Sequence, residues 1–239
     1  MKQNDSLAPD PARNRLARRR GVMLVILAAA SFSISAAFAK TIGTGIPVAE
    51  VIFFRNFFAL FPILPVVISA GGLAALRMRN PGSHALRTIF GMTGMVGSFY
   101  GYVYLPLVTV TALGFTMPLF LTLLAIPILG EKVGWRRWLA VLVGFCGVLL
   151  MVRPEQSATD THWLALGLCL VGALAWALAM LTIRRMGEAG ESGVAIVFWF
   201  AFFSSVLAGV AMIPVWVWPS PMQWALLAGI GLVSAIAQI

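Results

Sequence analysis

Acidic side chains are scarce. The 239 residues include only eight Asp and Glu, and none lies deep inside an apolar run. That shortage leaves no carboxylate pair for general acid–base work and no candidate for a carboxylate proton relay. Histidine is scarcer still: His84 and His162 stand far apart and form neither HExxH nor another zinc-ligand spacing. No metal and no cofactor is therefore expected. Cys146 and Cys169 sit inside apolar runs without CxxC spacing, so they read as small packed hydrophobes rather than a redox pair.

Charge of any kind is thin, at 10% against about 25% in soluble domains. Hydrophobic residues make up 60% of the chain and mean hydropathy is +0.94. Such a chain cannot cover its surface with polar groups, and it reads as an all-α membrane protein. A span needs about 20 mostly apolar residues. Candidates run over 21–39, 47–69, 84–104, 107–129, 136–152, 163–183, 194–213 and 222–239, eight in all. Their short connections predict one helical bundle without a soluble domain.

The net charge of +9 would fit a nucleic-acid partner if its residues were clustered, but they alternate instead. The N-terminal tail carries six, and the second, fourth and sixth connections carry Arg77, Arg79, Arg87, Lys132, Arg136, Arg137, Arg184 and Arg185. The other connections hold only Lys40 and Arg153, and Arg55 lies inside a span. This is the positive-inside pattern with a cytoplasmic N-terminus, so the lipid bilayer is the partner and nucleic acid is not. Trp135 and Trp138 then flank the inner boundary, and Trp163, Trp216, Trp218 and Trp224 the outer one. Residues 1–20 read as a disordered basic tail. Ala37-Phe38-Ala39 resembles a signal-peptide cleavage site; the competing reading, a retained first span, is favoured by the repeat.

A shift of 144 residues lays the first span on the sixth. Ala29 meets Ala173, Phe32 meets Trp176, Lys40 meets Arg184, and Phe54 and Phe58 meet Phe198 and Phe202. Five spans separate the copies, so their orientations are opposite. Inverted repeats of this kind place a site near the midplane between the halves. With a slightly different offset Gly231 corresponds to Gly91. The expected organisation is a first five-helix repeat over 21–152 and an incomplete second over 163–239. Eight transmembrane helices are present of an expected ten.

Several segments could carry function. Pro118 cannot donate to the carbonyl of Gly114, and that orphan acceptor needs protein, water or hydroxyl groups. Thr111, Phe115, Pro118 and Thr122 fall on one helical face, which suits a cavity wall or a kink that serves packing alone. Glu131-Lys132 ends that span. Gly91, Gly94, Ser98 and Gly101 share a face of the third span, where small residues allow close helix packing. Tyr100 and Tyr104 flank that face and are cavity candidates. Arg55, about 12 Å into the second span at 1.5 Å per residue, is either functional or bonded to backbone carbonyls. Glu50 lies outward of it, at a spacing that points elsewhere. Trp176 completes the cavity candidates.

Arg55-Asn56-Phe57-Phe58-Ala59, Tyr104-Leu105-Pro106-Leu107, Pro118, Gly130-Glu131 and the glycine-rich Gly144-Phe145-Cys146-Gly147-Val148 together resemble the EamA-like proteins of the drug/metabolite transporter superfamily. The resemblance runs over about 21–239. It implies a secondary transporter in the cytoplasmic membrane that moves a small metabolite, such as an amino acid or a nucleoside-like or vitamin-like compound, by alternating access. The family includes amino-acid exporters and importers of S-adenosylmethionine or riboflavin. A homodimer is compatible with it. A membrane-integral enzyme would need a cluster or nucleophile–base pair that Ser31, Ser35, Ser204 and Ser205 alone do not supply. A non-transporting scaffold has no sizeable extramembrane region to work with.

Overall fold

Proline, glycine and asparagine divide the apolar runs, and each boundary has a local cause. Asn80 opens one helix by accepting the Ser83 N–H on its side-chain oxygen, at 3.2 Å, with Pro81 as the first helical residue. Gly190, at φ +78°, closes another: its own N–H reaches Gly187 O and the next N–H reaches Met186 O. That is a left-handed C-terminal cap which a side chain at 190 would strain.

The structure, a computed structural model, describes residues 11–129, 134–151 and 160–238. Its helices are α1 (Pro11–Ile42), α2 (Val48–Ser69), α3 (Pro81–Tyr104), α4 (Leu107–Gly114), α5 (Thr116–Leu129), α6 (Trp135–Met151), α7 (Asp160–Glu188), α8 (Gly193–Met212) and α9 (Pro221–Gln238). No strand forms among the described residues. Glu131-Lys132, Gly130 and Arg153 lie outside them.

Three differences from the sequence expectation have physical reasons. Helix α1 begins at Pro11, whereas a disordered tail was expected through residue 20; residues 1–10 lie outside the described part. Arginine is a good helix former, and a basic segment can extend an apolar helix beyond its apolar part. Among the described residues, six helical stretches are long and apolar enough to cross a membrane, where the sequence reading has eight spans. Helix α3 has the length but is diluted by glycine, His84 and Arg87, and α6 has only 17 residues. The fourth run is two helices, α4 and α5, parted at Phe115.

Packing follows small residues. Helix α3 lies along α7, α1 along α9, and α2 packs on α8 and α9. At the α3–α7 crossing, a side chain on Gly97 would collide with the Leu168 carbonyl, and one on Gly101 with Cys169 Sγ. The glycine face of the third span is thus a packing face, as small residues in membrane helices allow. Across α1–α9, Ser35 and Ser234 share a hydrogen bond of 3.0 Å. Under the 144-residue correspondence α3–α7 and α1–α9 exchange, while α2–α8 maps onto itself. The paired glycines follow suit: Gly91 faces Phe200 of α8, and Gly231 faces Phe58 of α2.

Candidate functional site

Where α2, α3, α7 and α8 meet, with α1 and α9 at the margin, the bundle forms a partly open cavity of about 560 Å³. Arg55, Arg87 and Trp176 are among its lining residues, and most of the remaining wall is aliphatic. Val66 and Ile183, near the C-terminal ends of α2 and α7, and Val194, at the start of α8, line its other extreme. The cavity therefore runs from mid-bundle toward the end where α2 and α7 finish and α8 begins.

Arg55 lies on the second turn of α2 and is 3% exposed. Its Nη1 donates to Asn56 Oδ1 and Met95 Sδ, both at 3.3 Å. Asn56 is itself held by donating to the Ile52 carbonyl at 2.8 Å. Arg87 is 6% exposed, with its Cζ 3.7 Å from the Phe200 ring centroid and 6.0 Å from that of Trp176. Such a cation over a ring face is attracted by the ring's quadrupole. Neither Arg87 Nε nor Nη1 has a hydrogen-bond partner, and no salt bridge joins either arginine to a carboxylate among the described residues. Trp176 is fixed from behind, its Nε1 donating to Ser98 Oγ at 3.3 Å.

The opposite end of the bundle is closed. Phe54 packs edge-on to Trp224, with ring centroids 4.7 Å apart, and tilts against Trp216 at 6.1 Å. Beside them Glu50, fully buried, accepts the Val217 N–H at 3.1 Å.

A second polar cluster sits at the cavity's end of the bundle. The Gly190 cap turns the chain so that Glu191 Oε1 accepts the N–H groups of Arg79 (2.8 Å) and Asn80 (2.7 Å), at the start of α3. His84 Nε2 lies 3.6 Å from Glu191 Oε2. Burial pushes the Glu191 carboxyl up, but the Asn80 and Arg79 N–H groups and His84 more than offset that and hold it below its ordinary value.

Of the residues predicted from sequence, the structure brings Arg55 and Trp176 together in the cavity. Tyr100 and Tyr104 tilt against each other with ring centroids 4.4 Å apart, and Tyr100 packs on the cluster that includes Leu105, Val110 and Cys169. Thr111, Phe115, Pro118 and Thr122 lie along α4–α5, Phe115 62% exposed, and none lines this cavity. Pro118 occupies the first turn of α5, where its missing N–H breaks no interior helix bond. Sequence reasoning missed Arg87, which was counted with a connection. Its position, about 9 Å into α3 at 1.5 Å per residue, was the available signal; the Phe200 contact was not visible.

Comparison with known proteins extends this picture. Residues 19–153 match the EamA-like transporter family. The chain is 31% identical to an S-adenosylmethionine uptake transporter of Rickettsia prowazekii, over 88% of this chain and 70% of that one. It is 29% identical to a pseudopaline exporter of Pseudomonas aeruginosa, over 92% and 76%. With a riboflavin transporter of Vibrio cholerae the identity is 30%, over 92% and 74%. A protein of known crystal structure shares the fold, with a TM-score of 0.65 over 90% of this chain and 78% of the other, at 16% identity.

Proposed function

We propose, from the premise that the chain belongs to the EamA-like transporter family, that it carries a small metabolite through the Arg55–Arg87–Trp176 cavity by alternating access. Membership makes it a multi-pass membrane transporter of small metabolites and not an enzyme. The finer reading rests on one observation: a cavity of about 560 Å³ at mid-bundle runs to one end, while Phe54, Trp216, Trp224 and Glu50 close the other. A site between halves of opposite orientation, closed on one side, is what rocking one half against the other requires. The Lys and Arg distribution orients the open end toward the cytoplasm. Thr111, Phe115 and Thr122 belong to this proposal as a face of α4–α5 that meets substrate in another conformation.

The relatives span import and export of unlike compounds, so the substrate is to be found by assay. The full chain in proteoliposomes should show saturable counterflow of at least one of S-adenosylmethionine and riboflavin. Rates equal to those of empty liposomes for both would overturn the assignment of these substrates. Saturable uptake that persists unaltered in Arg55→Lys and Trp176→Ala would overturn the cavity as the route.

A further inference from the structure

The cavity holds two buried guanidinium groups and, among the described residues, no carboxylate. That is an expensive arrangement in a membrane interior. Taking one charge out of water costs several kcal/mol after relaxation, and no acid on a neighbouring helix offsets it. Arg87 meets an aromatic face instead of an anion, and its Nε and Nη1 protons are unclaimed. The bonds of Arg55 go to neutral partners, an amide oxygen and a thioether. A guanidinium fork with free N–H donors matches the paired oxygens of a carboxylate or a phosphate. Most of the remaining wall is aliphatic, with Trp176 as a flat surface beside the charges.

We propose that this cavity is built for an organic acid whose carboxylate lies between Arg55 and Arg87 and whose ring or apolar part rests on Trp176. The inference rests on the transport reading above and adds the chemical class of the substrate. The carboxylate supplies the missing charge, and its two oxygens accept the donors that Arg87 leaves open. A neutral molecule of the same shape would leave both arginines buried without an anion and the donors unmet, so discrimination arises from the protein's unsatisfied groups. Phe200 limits the movement of the Arg87 head, and Asn56, tied to the Ile52 carbonyl, steadies that of Arg55.

The test uses the purified full chain in lipid nanodiscs and matched probes. One pair is phenylacetate and phenylacetamide; a second is indole-3-acetate and indole-3-acetamide; phenyl phosphate is a fifth ligand. At least one acid should bind about tenfold or more tightly than its neutral partner, the range expected for a charge-assisted hydrogen bond. Arg87→Gln should shrink that ratio to within about threefold, while Arg87→Lys, which retains charge without the fork, should keep part of it. Equal affinity within both pairs, failure of both acids to bind, or tighter binding of phenyl phosphate than of either acid would each overturn the proposal. Because the pairs are compared in the unaltered protein, a variant that fails to fold does not decide the matter. Uptake measured in parallel separates the two readings. Acid-selective binding without uptake would sink transport and leave the carboxylate site, whereas uptake without selectivity for the acid would do the reverse.

Discussion

Glu191 accepts the backbone N–H of Asn80 at 2.7 Å, and through that bond the α7–α8 connection grips the first residues of α3. At the far end of the bundle Glu50 does the same in mirror fashion: it opens α2 and holds Val217, in the connection that leads into α9. Glu191 thus ties the start of α8 to the segment entering α3, and Glu50 ties the start of α2 to the segment entering α9.

The Glu191 bond makes stability depend on pH in one direction. Its folded carboxyl titrates below the unfolded value of about 4.3, so its contribution is present above that value and is lost as pH falls through the folded one. Arg79, whose Nη1 approaches Gly190, and His84 are the charged and titratable neighbours that face it. As pH falls below the unfolded value of about 4.3, Glu191→Gln should melt with a weaker pH dependence than the unaltered protein. Glu191→Ala, which strands two N–H donors, should lose about 1–3 kcal/mol at neutral pH. Parallel melting curves of the two proteins down to acid pH would remove Glu191 from this role.

The α3–α7 contact makes a size prediction. A Cβ at Gly97 meets the Leu168 carbonyl and the Gly172 Cα, which are backbone and cannot swing aside. Gly97→Ala should therefore cost about 1–3 kcal/mol, the usual penalty of overpacking. Gly167, on α7, has nothing within 4 Å of its would-be Cβ, and Gly167→Ala should be neutral or slightly stabilising. Thermal melting in detergent compares them directly, and equal behaviour would contradict the close crossing.

The helices were legible in the sequence because apolar runs of span length leave few alternatives in lipid. The glycine face of the third span and the midspan Arg55 were legible too, the first from helical spacing and the second from the cost of a buried charge. Arg87 was not. A basic residue within a few turns of a span's end normally extends to the interface, and only the placement of Phe200 from α8 shows why this one stays inside. The glutamate contacts were hidden for a similar reason, since each joins positions more than 100 residues apart.

The break at Phe115 shows the same boundary between local and long-range information. Proline and hydroxyls were visible in the sequence, and Thr111 and Thr122 were picked for sharing the proline's face. Both instead donate to carbonyls of their own helix, Leu107 and Pro118. The buried hydroxyl at the break is Thr116, which donates to the Leu113 carbonyl where α4 ends. Thr116→Val should cost about 0.5–1.5 kcal/mol by removing that hydrogen bond, while Thr122→Val should change stability by less than about 0.5 kcal/mol. Reversal of that order would mean that Thr116 does not hold the break.

If the Phe54–Trp216–Trp224 cluster is the closed gate of an alternating cycle, weakening it should open the cavity from that side. Glu50 is the most direct handle. Its carboxylate holds Val217, next to Trp216, and without it the partly exposed Val217 N–H loses a hydrogen bond to a charged group, at a cost of about 1–3 kcal/mol. A shift of that size changes the ratio of open to closed states roughly 5- to 150-fold. Val197 lines the cavity and offers a reporter. Val197→Cys is placed in the full chain after Cys146→Ser and Cys169→Ala, and right-side-out vesicles receive a membrane-impermeant thiol reagent. Labelling from outside should be slow with Glu50 in place and rise about tenfold in Glu50→Ala. Phe54→Ala, which removes the ring packed edge-on against Trp224 without touching the carboxylate, should act in the same direction. Fast outside labelling in the protein that retains both residues would show that this end is not closed. Slow labelling in both variants would show that Glu50 and Phe54 do not hold it shut, and the gate would then lie on another pair of helices.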